Sequence, residues 1–257
     1  MNDPNNLLQL AKAGDKKGIK NLVNPNFNYQ NAEGLSALMI AARWGKDKVC
    51  KYLIKKGANP NLVDKSGKSA LHHAVRWSGK ESNNQTVDIL LKGGADPNSR
   101  NKYGETPLII ASAYANAGSH TSTIELLLHN KADINAQDSE GWTALMSAVR
   151  NGKSESCDNA VKILLNAGVD PNIQESMGMT ALLLAIKYQE ECGENILKML
   201  LQVKPNVNIR NKAGLSTLQM AAIFTGERVV KILIMLGATW TESDLEGCYQ
   251  LKKILGK

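Results

Sequence analysis

One short motif is written six times along this chain, and its period leaves few folds open. The motif is glycine, any residue, serine or threonine, a small residue or proline, then leucine. It reads Gly34-Leu35-Ser36-Ala37-Leu38 at its first occurrence and Gly214-Leu215-Ser216-Thr217-Leu218 at its last. The glycines Gly34, Gly67, Gly104, Gly141, Gly178 and Gly214 stand 33, 37, 37, 37 and 36 residues apart. A unit of this length cannot bury a core alone, so a fixed period in this range predicts a solenoid in which each unit packs on its neighbours. Solenoids mostly bind other molecules. The repeated surface is therefore the first place to look for function.

Little else competes with that reading. No apolar run approaches the ~18 residues that a membrane span requires, and the start, Met1 to Asn6, lacks the basic and apolar pattern of a secretory signal. Cys50, Cys157, Cys192 and Cys248 show neither CxxC pairing nor regular spacing. They read as reduced thiols of an intracellular protein, not as a disulfide frame or a zinc site. The formal net charge of +7 favours acidic partners. It is too diffuse to argue for nucleic acid on its own.

The unit from Asp64 to Arg100 shows the local logic. Asp64-Lys65-Ser66-Gly67-Lys68 has the polar, glycine-centred composition of a tight turn. Ser69 is placed to cap the helix that follows, its hydroxyl accepting from a free backbone N–H. Ala70 to Val75 has small and apolar residues at helical spacing, and a second amphipathic stretch runs through Val87, Ile89, Leu90 and Leu91. Gly93-Gly94 closes that helix. Ala95-Asp96-Pro97-Asn98 then leads extended into the next turn.

This unit resembles the ankyrin repeat, whose pattern is Asp-x-x-Gly-x-Thr-Pro-Leu-His-x-Ala-Ala, a helix ending Leu-Leu, and Gly-Ala-Asp-x-Asn. The closing element reads Gly57-Ala58-Asn59-Pro60-Asn61 and Gly94-Ala95-Asp96-Pro97-Asn98, and degenerates to Lys204-Pro205-Asn206-Val207-Asn208. The close-packing alanine recurs as Ala41, Ala74, Ala111, Ala148, Ala185 and Ala221. The resemblance implies an all-α ankyrin solenoid of helix-loop-helix repeats with short β-turn or hairpin fingers. One domain, 1–257, is expected. It comprises an N-terminal cap repeat (4–30), six repeats (31–63, 64–100, 101–137, 138–174, 175–210 and 211–240) and a C-terminal capping helix (241–257). Ser243-x-x-Glu246 reads as the capping box of that last helix.

The departures from the pattern also carry information. Only His72 keeps the family histidine, whose place is taken elsewhere by Met39, Ile109, Met146, Leu183 and Gln219. The family's threonine–histidine hydrogen bonds should be mostly absent, and the stack less rigid for it. Four repeats exceed the usual 33 residues. The excess falls at Ser78–Gln85, Ala115–Ser122, Gly152–Asp158 and Gln189–Glu194, as longer loops or an extra turn on the first helix.

Ankyrin proteins generally bind partners on the concave side, and the resemblance implies that the two residues after Ala-Ala line it. Here those positions are Arg43-Trp44, Arg76-Trp77, Ala113-Tyr114, Arg150-Asn151, Lys187-Tyr188 and Ile223-Phe224. In a chain only 5 % aromatic, five of the six second positions hold a ring, and four of the six first positions hold Arg or Lys. Stacking would turn them into an aromatic row beside a cationic row. Trp, Tyr and Arg are the residues most often found as interface hot spots. Tyr103, Trp142, Met177 and Met179 add to this face from the turn tips. The competing expectation is that the rings simply pack against the neighbouring repeat.

No phosphate-cradling glycine loop is present. His72 and His73, adjacent on a helix, point too far apart to share a metal. His120 is read as lying in a loop and His129 at a helix end. Enzymatic activity, cofactors and metals are accordingly not expected. The expected function is a non-catalytic protein-interaction module, an inhibitor or adaptor that takes an acidic and partly apolar segment of a protein partner. It would act as a cytoplasmic monomer, in the producing cell or delivered into a host; the Lys/Asn-rich composition resembles that of ankyrin proteins from bacteria or other AT-rich genomes, some of which are delivered into host cells. The alternative is nucleic acid or another anionic ligand on the basic concave face. A cage for methylated lysine is disfavoured, because the adjacent arginines would repel a cation.

Overall fold

The computed structural model describes residues 4–77, 84–115, 120–150 and 155–257. Helices α1 (Pro4–Ala13) and α2 (Lys16–Lys20) open the chain. Four helix pairs follow: α3 (Ala37–Arg43) with α4 (Asp47–Lys55), α5 (Ala70–Arg76) with α6 (Asn84–Lys92), α7 (Pro107–Ala113) with α8 (His120–His129), and α9 (Ala144–Arg150) with α10 (Glu155–Asn166). Helix α11 (Ala181–Lys187) is followed by the single turn α12 (Gln189–Cys192) and then by α13 (Glu194–Gln202). The pair α14 (Thr217–Phe224) and α15 (Glu227–Met235) precedes α16 (Glu242–Glu246) and α17 (Tyr249–Ile254). The first helices pack in one row, α3 on α5, α5 on α7, and so on to α14, and the second helices in another. The result is an all-α solenoid.

The core lies between the two rows. Ala41, Ala74, Ala111, Ala148, Ala185 and Ala221 are fully buried on the first helices. Their short side chains allow close helix approach, while Leu53, Leu90, Leu127, Leu164, Leu200 and Leu233 fill the space from the second row. Ser36, Thr106, Thr180 and Ser216 each accept a backbone N–H from the third residue of the helix they start. At the second pair Ser69 is likewise the N-cap, in a capping box with His72: Ser69 N–H donates to His72 Nδ1 at 3.2 Å, and the Ser69 hydroxyl lies 2.9 Å from the same nitrogen. His72 Nε2 lies 3.1 Å from the Glu105 carbonyl and so ties its finger to the next. Burial pushes the His72 pKa down, which keeps the ring neutral there.

The turns between pairs form fingers with only isolated antiparallel bridges, such as Val63 with Ser69. They are stitched together three times over. Backbone N–H groups of Lys65, Lys102, Ser139, Ser176 and Lys212 donate to the carbonyls of Glu33, Ser66, Tyr103, Glu140 and Met177, at 2.8 to 3.0 Å. Gln137 Nε2 donates to its own finger at Gly141 O (2.8 Å) and to the next at Gln174 O (3.1 Å). Gln30, Arg100 and Gln174 bridge in the same way. Asparagines form the third line: Asn61 Oδ1 accepts from Asp96 N–H at 2.9 Å, and Asn98 Oδ1 accepts from Asp133 N–H at 2.7 Å. Successive turns thus direct many of their polar groups at the following turn.

The C-terminal end departs from expectation. The capping box is Thr241 with Asp244, not Ser243 with Glu246. Asp244 is selected because its carboxylate also receives both Arg210 guanidinium nitrogens, each at 2.7 Å. Arg210 holds that buried carboxyl down at about 2. Gln219 stands in for the absent histidine: its Oε1 accepts from Ser216 N–H at 3.0 Å, and its Nε2 donates to the Asp244 carbonyl at 3.1 Å. Of the long segments expected between helices, the one after Lys187 is resolved as the extra turn α12. The expectations for residues 78–83, 116–119 and 151–154 lie outside the described residues.

Candidate functional site

The first helices end at equivalent positions, and most of the cations and rings flagged from sequence stand there. Arg43, Arg76, Arg150 and Lys187 are the last residues of α3, α5, α9 and α11, and all four are exposed. Trp44, Trp77, Tyr114 and Tyr188 are the C-cap residues that follow α3, α5, α7 and α11. Trp44, Trp77 and Tyr188 are half-buried, while Tyr114 is 36 % exposed. Phe224 falls inside α14, which runs one residue longer, and is 45 % exposed.

The two rows do not merely lie side by side; they interleave. The Arg43 guanidinium sits 5.1 Å from the ring centre of Trp77 on the next pair and 6.0 Å from Trp44 on its own. Arg76 lies 5.1 Å from Tyr114, again one pair onward. Arg150 lies between Trp142 at 5.3 Å and Tyr188 at 5.9 Å, and the Lys187 ammonium is 5.2 Å from Tyr188. Each contact is a cation–π attraction, about 0.5–1 kcal/mol at exposed sites. The series breaks at Ala113, which offers no cation.

Stacking uses the flat face of a guanidinium and leaves its edge of N–H donors free. Among the described residues, Arg43, Arg76, Arg150 and Lys187 have no carboxylate within ion-pair distance. The site is therefore a row of cations beside rings, without carboxylate partners among the described residues. Such a row suits bidentate carboxylate contacts. It does not suit a methylated lysine, because the ring faces are already taken by the chain's own cations.

Not every flagged residue belongs here. Tyr103 stands apart on its finger, 66 % exposed, with only its backbone engaged by the next finger. Trp142 is half-buried against the core and joins the row through Arg150. Met177 is 66 % exposed, but Met179 is buried, contrary to the sequence expectation. Lys12 is an addition from outside the repeats, its ammonium 5.3 Å from the Trp44 ring. No repeat spacing signals Lys12, because it comes from the N-terminal helix.

The other chemistry considered from sequence is accounted for locally. His73 Nε2 pairs with Asp64 at 2.9 Å while His72 turns toward Glu105, so the adjacent histidines diverge. His120 does not lie in a loop; it begins α8 and is buried beside Tyr114, the ring centres 6.4 Å apart. Burial lowers its pKa. Cys50, Cys157 and Cys248 are free and buried, and burial pushes the Cys50 thiol up to about 12. Among the described residues no cluster of three or more His, Cys, Asp or Glu could hold a metal, and no helix is long and apolar enough to cross a membrane.

Comparisons with known proteins match the helix pairs. A family model for ankyrin repeats, in three copies, matches residues 7–101, 77–158 and 153–244. The crystal structure of EF0377, an ankyrin repeat protein, superposes with a TM-score of 0.69 at 27 % identity, covering 79 % of this chain and 99 % of that one. A protein of Acanthamoeba polyphaga mimivirus named as an ankyrin repeat protein, L92, is 46 % identical over 52 residues, 20 % of this chain and 13 % of the relative. M-phase phosphoprotein 8 of Mus musculus is 40 % identical over 77 residues, 28 % of this chain and 9 % of that protein. The matches thus span only a small part of these curated relatives.

Proposed function

The chain belongs to the ankyrin repeat family, whose repeats are generally protein–protein interaction modules, and we propose that it binds an acidic, partly apolar segment of a partner protein in its concave groove. It does so without catalysis, as a monomeric inhibitor or adaptor working in the cytoplasm of its own cell or of a host. One observation carries this reading: the stacked cations Arg43, Arg76, Arg150 and Lys187 have no carboxylate partner within the described chain. An oriented guanidinium edge forms charge-assisted hydrogen bonds about twice as strong as neutral ones. The rings beside it supply the buried area typical of hot spots.

The test is a paired pull-down from lysate with the wild type and with a variant carrying Arg43→Gln, Arg76→Gln, Arg150→Gln and Lys187→Gln. These substitutions keep the rings in place. A protein captured by the wild type and lost by the variant, with nuclease treatment making no difference, supports the reading. Equal capture by both baits places binding elsewhere. Capture abolished by nuclease favours the nucleic-acid alternative.

A further inference from the structure

The two ends of the concave face differ in chemistry, and the chain's positive charge is densest and least paired at the first of them. Residues 1–77 carry 13 Lys and Arg against 5 Asp and Glu, a net of +8. Residues 78–200 carry 10 against 15, a net of −5, and residues 201–257 carry 8 against 4, a net of +4. None of the 13 cations of the first part is in an ion pair among the described residues, whereas Arg210, Arg228 and Lys231 of the last part are. The field that attracts a carboxylate is therefore concentrated at the N-terminal end, where Arg43 and Arg76 sit.

At the other end the cation position of the row is Ile223, followed by Phe224, and each is 45 % exposed. An adjacent, partly exposed Ile and Phe gain by further burial of their apolar surface. The acidic surplus of residues 78–200 opposes extension of an acidic segment across them.

Building on the groove reading above, we propose that the partner segment has an obligatory direction: an acidic block over Arg43 and Arg76, and an apolar anchor on Ile223 and Phe224. The first helices α3, α5, α7, α9, α11 and α14 pack in sequence, giving five steps between the two ends. At about 8–10 Å per step, the span is roughly 45 Å. An extended chain at ~3.3 Å per residue covers it with about 14 residues. A helix at ~1.5 Å per residue needs about 30. Ordering the shorter length costs less backbone entropy, so the occupant is an extended segment.

The experiment is selection from a displayed library of random 16-residue peptides on the intact chain, repeated with Arg43→Gln/Arg76→Gln and with Ile223→Ser/Phe224→Ser. Expected winners hold acidic residues at one end and apolar residues at the other, in a single order. The first variant should erase only the acidic enrichment and the second only the apolar. A winning peptide and its sequence-reversed copy, both synthesised, should differ at least tenfold in affinity for the wild type, a comparison that needs no variant to fold. Acidic and apolar residues enriched in either order, or equal binding of the reversed copy, overturn the direction and leave the groove reading intact. Winners without acidic enrichment, or no winners, overturn the groove reading and the direction with it.

Discussion

The finger edge and the stacked-cation row are made by the same repetition, yet they end in opposite states. On the finger edge the donors and acceptors of successive turns meet, through backbone, glutamine or arginine, and asparagine. On the cation row the charges stand beside rings and have no carboxylate partner among the described residues. Repetition can therefore seal a surface or leave it unsaturated, depending on whether the side chains complement one another. Sealed edges hold the stack. Unsaturated rows are available to something else.

The largest effect that sharpens this contrast belongs to the sealed edge. Gly67 has φ +75°, and a Cβ there would stand 2.8 Å from the Lys102 backbone N of the next finger. Gly214 has φ +81° but nothing within 4 Å, since no further finger follows it. Gly67→Ala should cost about 3 kcal/mol or more of stability, and Gly214→Ala only the left-handed penalty of about 1–2 kcal/mol, as urea unfolding of both will show. Equal losses would mean that the stacking of fingers adds nothing.

Next comes the fastening at the end of that edge. Asp244→Asn should lower stability by about 2 kcal/mol at pH 7, the scale of a hydrogen bond to a charged group. The Asp244 carboxyl has its pKa depressed from 3.8 to about 2, chiefly by the Arg210 hydrogen bonds. Its contribution is therefore full above pH 3.8 and is lost as the pH falls toward 2. Urea midpoints of wild type and variant should converge over that window. A difference that persists at pH 2 would detach the effect from ionisation.

On the open row, Trp77→Ala should weaken partner binding by about 2 kcal/mol, measured by titration calorimetry once a partner or peptide is in hand. The stability loss should be smaller than for Gly67→Ala. An unfolded Trp77→Ala variant would make the rings part of the core and erase the distinction between the two surfaces. The smallest effect is a gain. Lys131 occupies, at φ +66°, the helix-ending position that Gly94 fills at φ +89° in the preceding pair. Lys131→Gly should raise the thermal midpoint by the equivalent of about 1 kcal/mol.

Much of this was readable in the residues themselves. The glycine period and the small residue after each serine or threonine specify the helix pairs, because both are local demands of backbone and packing. The positions of Arg43, Trp44, Arg76 and Trp77 were equally legible, being fixed by their place after the alanines. Their interleaving was not, since which ring a guanidinium covers depends on how one pair sits on the next. Lys12 was hidden for the same reason. Two capping boxes lie two residues apart, Thr241 with Asp244 and Ser243 with Glu246, and only Arg210, 34 positions upstream, decides between them. Gln219 looked like a missing histidine until its amide was seen reaching the Asp244 carbonyl.

Arg210 has a wider consequence. In an earlier finger Arg100 reaches the carbonyl of Gln137, and Arg210 makes the corresponding reach into a carboxylate. The terminal helices thus give Arg210 an acceptor where another finger would have given it a carbonyl. An additional helix pair inserted ahead of residue 241 would still find Asp244 as the acceptor for an arginine placed as Arg210 is. The number of units in such a chain is an adjustable quantity. The length of the face it offers can be set in whole steps without redesigning either end.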